Sequence, residues 1–219
     1  ILIDEAQELS RAELTALCAA AHLAAQRDWA CLFALAGLPS LPRELAEAKS
    51  YAERLFTYAS VGQLDDSAAA LALTGPAAAQ GVGWEPAAVG LLVTETAGYP
   101  YFLQQFGLEA WDKAAGVVIT EADARVAAIR GLAALDSGFF RSRWDRATRA
   151  EQRYLRAMAA DGNAGSAAGE VAARLERTQQ SVGPLRAQLI SKGLIYSPEH
   201  GTIAFTVPGM ASFIKRQPA

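Results

Sequence analysis

The chain has 219 residues, 52% of them hydrophobic and many of these alanine, which favours a helical globular protein with one large or two small domains. Its longest apolar run, residues 29–37, is too short to span a bilayer, and no basic-then-apolar leader is seen, so neither a membrane anchor nor a targeting signal is expected. The two cysteines match no metal-binding spacing and are predicted to be buried free thiols in a cytoplasmic protein.

The net charge of −3 is distributed unevenly along the chain. Residues 1–138 carry 8 Lys and Arg against 17 Asp and Glu, a net charge of −9, whereas residues 139–219 carry 12 against 6, a net charge of +6. This asymmetry indicates two modules with different partners, of which the basic one suits nucleic acid. An electrostatic contact between the two halves is the alternative explanation.

Strand and helix patterns alternate in the first part of the chain. Residues 1–3 and 30–36 are typical of buried strands, and residues 55–61 carry the aromatic and β-branched side chains of a third. Residues 10–13 form the pattern of a capping box at the start of one helix, and residues 43–53 predict another. The alternation predicts a partial parallel α/β sheet.

Helical patterns with short loops take over from residue 64. Four helices are expected, at residues 67–73, 85–97, 100–111 and 120–135. Gly75 and Pro76 are expected to end the first, Gly98 the second, and Pro100 fits the first turn of the third. Four successive helices of this kind predict a small bundle.

The last part of the chain has a different order of elements. Three helices are expected at residues 148–160, 170–175 and 178–193, followed by β-rich runs at residues 194–197 and 202–207. A short closing helix is expected at residues 209–216. Three helices followed by a hairpin are typical of a winged helix-turn-helix.

Polar side chains follow the predicted strands, where parallel sheets bind ligands. Asp4 and Glu5 come directly after the first strand. The first carboxylate suits a nucleotide-bound Mg²⁺, and the second suits the orientation of a water for phosphoryl transfer. A solvated strand end is the alternative, and the functional interpretation is preferred.

Two further candidates come from the same part of the sequence. Ser40 follows the second strand, where its hydroxyl would contact a γ-phosphate or the attacking water, although an ordinary turn explains it equally well. Arg54 closes the helix before the third predicted strand and would stabilise transition-state charge on its own subunit or a neighbour. A surface arginine at a helix C-terminus is the alternative for Arg54.

Two later segments carry binding candidates. At the junction Gly98-Tyr99-Pro100, with Tyr101 after it, the aromatic rings would pack against a nucleobase or, alternatively, cap a helix in the core. In the third C-terminal helix, candidates for base contacts are Gln179, Gln180 and Ser181, and candidates for phosphate contacts are Arg177, Arg186 and Lys192. Glu176 interrupts that patch, and winged helices also bind proteins, so both alternatives stay open.

Taken in order, these motifs resemble the AAA+ and STAND branch of P-loop ATPases, and in particular bacterial and archaeal ATPases with a C-terminal winged helix, akin to origin-recognition-type ATPases. The segments that carry the resemblance are residues 1–7 (Walker B), 37–42 (sensor 1), 52–56 (arginine-finger helix and following strand), 98–104 (the lid motif that contacts adenine) and 189–196 (recognition helix and wing).

The resemblance implies a mostly α protein with a partial α/β core at residues 1–63, a helical lid at 64–138 and a winged helix at 139–219. It implies ATP and Mg²⁺ as ligands and a homo-oligomer in the intact protein. The residues that it places at the nucleotide are Glu5 and Arg54 as catalytic groups, Asp4 as an indirect Mg²⁺ contact, and Ser40, Gly98, Tyr99 and Pro100.

The sequence departs from that family at one decisive point. It contains no Gly-x-x-x-x-Gly-Lys-Ser/Thr phosphate loop, and the family's first two strands are missing. We therefore expect a C-terminal portion of an ATP-dependent switch protein, truncated before Walker B and unable to hydrolyse ATP alone.

Three other functions remain alternatives. They are a winged-helix DNA-binding regulator with a degenerate ATPase half, a structural protein-interaction module, and a superfamily-1 helicase fragment. The helicase alternative rests on the Asp-Glu-Ala-Gln segment at residues 4–7, and the helical lid and winged helix that follow do not suit it.

Overall fold

A small α/β unit opens the computed structural model, which describes residues 1–218. Its elements are β1 (Leu2–Ile3), α1 (Arg11–Gln26), β2 (Ala34–Leu35), α2 (Leu41–Ala48) and α3 (Ala52–Leu55). The two strands pair in parallel, with Leu2 opposite Ala34. The predicted capping box is confirmed, because the Ser10 hydroxyl accepts from the Glu13 N–H and the Glu13 carboxylate accepts from the Ser10 N–H.

Three predictions for this unit are wrong. Residues 55–61 form no strand. Leu55 ends α3, and residues 57–61 are exposed, because no described strand lies beside them to supply ladder partners. The strand expected at residues 30–36 is only Ala34–Leu35, since its partner β1 offers two residues. The helix expected at residues 43–53 is two helices, because the backbone is extended at Lys49, with φ of −146° and ψ of 122°.

A helical region follows, with one small parallel sheet. Its elements are α4 (Asp66–Ala79), β3 (Gly83–Trp84), α5 (Pro86–Thr96), α6 (Pro100–Lys113), β4 (Val118–Ile119), α7 (Glu121–Leu135), a π-helical turn (Asp136–Phe140) and α8 (Arg141–Asp145). Strand β3 pairs with β4. The expected end of α4 at Gly75 and Pro76 is wrong. The helix continues to Ala79 because Leu73 and Ala77 are buried on either side of the exposed proline.

The π-helical turn connects this region to the end of the chain. The Phe140 ring stacks on Phe213 at a centroid distance of 5.4 Å and meets Phe102 edge-on at 5.6 Å. The Asp136 carboxylate accepts three hydrogen bonds from the Arg216 guanidinium, at 2.6, 2.8 and 3.1 Å. Both ends of the turn are therefore held by the last helix.

The C-terminal elements combine helices with an antiparallel sheet. They are α9 (Arg149–Ala159), β5 (Ser166–Ala167), α10 (Ala168–Arg174), α11 (Gln179–Ser191), β6 (Ile195–Tyr196), β7 (Thr202–Phe205) and α12 (Met210–Arg216). The sheet order is β5-β7-β6, with β7 antiparallel to both neighbours. The predicted hairpin is confirmed, whereas the two-residue strand β5 lies in a segment whose Gly, Ala and Ser composition gave no strand signal.

Buried apolar side chains form two clusters. The smaller one joins α1, α2 and α3 through residues such as Leu14, Cys18 and Leu45. The larger one runs from Ala69 to Ile214 without interruption at the boundary predicted after residue 138. Cys31 is exposed, so the prediction of two buried thiols is wrong for that residue. None of the helices within residues 1–218 has the length and apolar character needed to cross a bilayer.

Tyr154 in α9 is fully buried, and its hydroxyl has no hydrogen-bond partner among the described residues. Burial raises the pKa of this phenol. Tyr154→Phe removes a buried polar group, so we expect the free energy of unfolding to rise by about 1 kcal/mol in urea denaturation. The half-buried Tyr196 supplies the control, because its replacement by Phe should change little. A clear loss of stability in Tyr154→Phe would contradict the expectation.

Candidate functional site

Two carboxylates stand at the carboxyl end of β1. The Glu5 N–H donates to Asp4 Oδ1 at 2.9 Å, which fixes the orientation of the first carboxylate. Glu5 adopts a left-handed conformation, with φ of 50° and ψ of 41°, at the start of a 3₁₀ turn (Ala6–Glu8). Both side chains are exposed. A strained backbone at a pair of solvent-facing acids is typical of a binding or catalytic position.

Gln7 joins the ends of the two parallel strands. Its Nε2 donates to Glu5 Oε2 at 2.6 Å, and its Oε1 accepts from the Leu38 N–H at 3.0 Å. The backbone adds a second link, because the Ala6 N–H donates to the Ala36 carbonyl at 2.9 Å. Glu5 is thereby held in a fixed relation to the loop that follows β2.

Gly37 makes this arrangement possible. A Cβ at residue 37 would lie 2.5 Å from Gln7 Oε1 and 3.1 Å from a Leu41 methyl group. The motif segments at residues 1–7 and 37–42 include both residues, but the contact between them could not be predicted. It joins segments 30 residues apart, and no local pattern in the sequence indicates it.

Ser40 lies near the hydrogen bonds that Gln7 makes with Glu5 and Leu38, whereas Arg54 takes no part in them. Ser40 lies two residues after Leu38 and makes no side-chain capping bond to α2. Arg54 is exposed at the end of α3 and forms no ion pair within residues 1–218. The strand that was expected to follow it is absent, so its catalytic role stays a prediction.

The junction between α5 and α6 is fixed by its backbone. Gly98 has φ of +67°, and its carbonyl accepts from the Leu64 N–H at 2.9 Å. Tyr99 caps α6 and its half-buried ring lies 4.7 Å from Phe102, centroid to centroid. Pro100 is exposed and lines a shallow depression with Tyr101. The segment connecting α3 to α4 is thus tied to the residues predicted to contact a base.

The loop after β2 also touches the C-terminal elements. Gly193, in the turn between α11 and β6, has φ of +64°, and a Cβ there would lie 3.0 Å from a Leu38 methyl group. The adjacent Lys192 donates to the Glu151 carboxylate at 2.7 and 3.0 Å and to the Arg146 carbonyl at 3.1 Å. Leu38 therefore connects the strand-end carboxylates to the turn that carries this ion pair.

The six candidates for nucleic-acid contact separate into two groups. Those exposed at the start of α11 are Arg177, Gln179, Gln180 and Ser181. Arg186 is half-buried farther along the helix. Lys192 is engaged by the fully buried Glu151, so a phosphate contact by Lys192 would require this ion pair to break.

Within the described residues, no group of three or more His, Cys, Asp or Glu side chains is placed to hold a metal ion. Any divalent ion at Asp4 would therefore need additional ligands. A nucleotide's phosphate oxygens and water are the usual ones for Mg²⁺.

Comparison with known proteins identifies a domain and a fold. Residues 137–214 match the family described as "Domain of unknown function (DUF8462)". No curated protein matches the chain. The structure is similar to the Walker-type ATPase Paby2304 of Pyrococcus abyssi, with a TM-score of 0.64 and 16% identity over 98% of this chain and 62% of that one. It is also similar to the RuvB Holliday junction branch migration motor of Thermotoga maritima, with a TM-score of 0.50 and 15% identity over 100% of this chain and 70% of that one.

At these identities the likeness concerns the fold. The chain is mostly helical with small sheets, and its fold is similar to those of the Walker-type ATPase and the RuvB motor. It spans 62% of the length of the Pyrococcus protein.

Proposed function

We propose that the chain is the Walker B, sensor and lid portion of an ATP-dependent switch protein. ATP would bind between the ends of β1 and β2 and the α5–α6 junction at Tyr99. The observation that carries the proposal is the pair of hydrogen bonds that Gln7 makes with Glu5 and with the Leu38 N–H. They hold Glu5 against the loop after the neighbouring parallel strand. Ligand sites of open α/β sheets lie at such carboxyl ends.

The strand-end residues fit the chemistry of phosphoryl transfer. Asp4 is exposed, and hard carboxylate oxygens of this kind suit Mg²⁺. When bound with ATP, that ion would neutralise charge on the phosphate oxygens. Glu5 would accept the proton of the attacking water, and Gln7 would hold its carboxylate in position. The Ser40 hydroxyl would donate a hydrogen bond to a phosphate oxygen.

The phosphate loop must come from outside these 219 residues, since the sequence contains none. The exposed apolar side chains at the β1–β2 edge support this part of the proposal, because Leu2 is 82% and Leu32 74% exposed. A strand carrying the phosphate loop would cover them. A phosphate-loop motif encoded within about one domain length upstream would support the proposal, and its absence there would contradict it.

Glu5→Gln tests the catalytic assignment. The 219-residue chain is expected to show no ATP turnover. In a longer protein that includes the phosphate loop, Glu5→Gln should lower kcat by about 100-fold or more, since it removes a general base, and leave ATP affinity unchanged. Glu8→Gln, an exposed carboxylate three residues away, is the matched control and should keep full activity.

Two results would contradict this assignment. Turnover by the 219-residue chain that disappears in Glu5→Gln would mean that the site is complete without the loop. Failure of the longer protein to bind ATP would instead favour a structural interaction module.

The C-terminal elements support a second part of the proposal. We assign residues 139–219 to a winged helix that moves when ATP is hydrolysed, with Leu38 and Gly193 as the contact between the two parts. In a homo-oligomer, the exposed Arg54 would reach the nucleotide of a neighbouring subunit.

DNA binding is the second candidate function, favoured by the exposed Arg177, Gln179 and Gln180 at the start of α11. A titration of labelled duplex DNA at several salt concentrations separates the alternatives. Absent or salt-insensitive binding would argue against a DNA-binding role.

A further inference from the structure

An open groove runs between helices α4 and α5, and the residues of the proposed ATP site do not line it. Its walls include Asp66, Ala70 and Thr74 from successive turns of α4, and Val89, Val93 and Thr94 from α5. At a rise of about 1.5 Å per residue, the α4 residues extend along about 12 Å of the helix. The groove has a volume of about 500 Å³, which is within the range of ligand-binding sites.

The two ends of the groove differ chemically. Helices α4 and α5 are antiparallel, because the hydrogen bond between Leu64 and Gly98 joins the start of the first to the end of the second. Asp66 therefore lies at one end of the groove. Strand β3 connects the two helices at the opposite end and contributes Trp84 there. A carboxylate and an indole thus stand at opposite ends.

The indole of Trp84 has an unused hydrogen-bond donor. Its Nε1 is buried and has no acceptor among residues 1–218, whereas the side chain as a whole is half-buried. A buried N–H without an acceptor is unfavourable, and folded proteins satisfy nearly all such groups. Because the ring lines the groove, a small rotation would bring this N–H to a ligand. A ligand with a carbonyl oxygen at this end would satisfy it.

The polar groups at the other positions are acceptors. Asp66 is exposed, and its carboxylate forms no ion pair within residues 1–218. The Thr94 hydroxyl already donates to the Gly90 carbonyl at 2.9 Å, so it can only accept from a ligand. The Thr74 hydroxyl is engaged in the same way with the Ala70 carbonyl at 3.0 Å. No basic side chain lines the groove within the described residues, so a cation is favoured over an anion.

The middle of the groove is apolar and has free space. Ala70 lines it on α4, and Val89 and Val93 line it on α5. A Cβ at Gly90, which also lines the groove, would meet no atom within 4 Å. An extended peptide covers about 3.3–3.6 Å per residue, so three or four residues span the distance between the two ends.

We propose that the groove between α4 and α5 binds the first residues of an apolar peptide with a free amino terminus. The terminal ammonium group pairs with Asp66, and small apolar side chains pack on Val89 and Val93. Backbone N–H groups donate to the threonine hydroxyls, and a backbone carbonyl accepts from the Trp84 indole. A simple amine offers the cation alone, whereas a peptide supplies all of these groups. The inference does not depend on the proposed function.

The test titrates the 219-residue chain with a tetrapeptide amide of alternating alanine and valine. Calorimetry measures its affinity, and ¹⁵N NMR follows the indole N–H signals of the four tryptophans. The Trp84 signal, identified as the one that is missing in Trp84→Phe, should shift when the peptide binds. The N-acetylated peptide lacks the ammonium group and should bind about two- to fivefold more weakly, the effect of losing one exposed ion pair.

Three variants locate the site. Gly90→Leu should abolish binding, because its side chain occupies the free space of the groove without displacing a neighbour. Ala72→Leu, at an exposed position of α4 that does not line the groove, is the matched control and should bind as the wild type does. Asp66→Asn should lower the affinity for the free peptide to that for the acetylated one and leave the latter unchanged. Circular dichroism verifies the fold of each variant.

Four results would overturn the proposal. The wild type binds no peptide, or Gly90→Leu binds the peptide as tightly as the wild type does. The free and acetylated peptides bind equally, which would mean that the amino terminus is not recognised. Finally, n-hexylamine binds as tightly as the peptide, which would assign the groove to amines in general.

Discussion

Lys192→Met is expected to lower the free energy of unfolding by about 2–4 kcal/mol. The variant leaves the Glu151 carboxylate fully buried without its cation, and removal of one partner of a buried ion pair is costly because the other charge stays uncompensated. The lower end of the range applies because the Lys192 side chain itself is 33% exposed. Urea denaturation at pH 7 measures the effect.

A second substitution identifies the cause. Glutamine at residue 151 removes the buried charge and can still accept the Thr148 N–H in the capping box. The double variant with Glu151→Gln should therefore be more stable than Lys192→Met alone. Lys215→Met, at an exposed lysine, is the control and should change stability by less than about 0.5 kcal/mol. Equal effects of the two lysine substitutions would contradict the argument.

The same ion pair predicts a pH dependence. Burial tends to raise the pKa of Glu151, but hydrogen bonds from Lys192 and Thr148 outweigh it and hold that pKa below its ordinary value. A carboxyl whose pKa is lowered on folding stabilises the protein above its unfolded pKa of about 4.3, and the contribution is lost as the pH falls through the folded pKa. The stability difference between wild type and Lys192→Met should therefore shrink as the pH is lowered from 5 to 3.

Gly98→Ala is expected to destabilise the protein by about 2–4 kcal/mol, since a left-handed alanine alone costs about 1–3 kcal/mol. A Cβ at Gly98 would also lie 2.2 Å from the Leu64 carbonyl oxygen. That oxygen belongs to the backbone, so relief requires the connection between α3 and α4 to move away from Tyr99. Under the proposed function, the variant should also weaken ATP binding.

Gly90→Ala is the matched control in the helix just before this junction. No atom lies within 4 Å of a Cβ at residue 90, and the residue is exposed in the interior of α5. Alanine should therefore stabilise the protein by about 0.5–1 kcal/mol through its higher helix propensity. A stability loss in both variants would mean that helix α5, rather than the Leu64 contact, is sensitive to substitution.

Elements specified by local chemistry could be predicted from the sequence. The capping box at Ser10 and the hairpin between β6 and β7 each depend on residues within a few positions of one another. Elements that need a partner far away in the sequence could not be predicted in this way. Residues 55–61 have strand-forming side chains, yet a strand exists only where another strand pairs with it.

The same distinction between local and long-range features applies to the residues of the candidate site. Asp4 and Glu5 could be identified because they directly follow an apolar strand, and the Gly98–Pro100 junction because glycine and proline mark helix boundaries. The contributions of Gln7 and Leu38 depend on contacts between distant segments. No spacing in the sequence encodes those contacts.

The two thiols differ in a way that makes the β1–β2 edge observable in solution. Cys31 is exposed beside Leu32, whereas Cys18 is buried, and burial raises the pKa of its thiol. Alkylating dyes react with thiolates, so a maleimide fluorophore should attach at Cys31 alone in the folded protein. Its emission would shift to shorter wavelength when another polypeptide segment covers this edge, which gives a direct optical assay for docking of a strand that carries a phosphate loop.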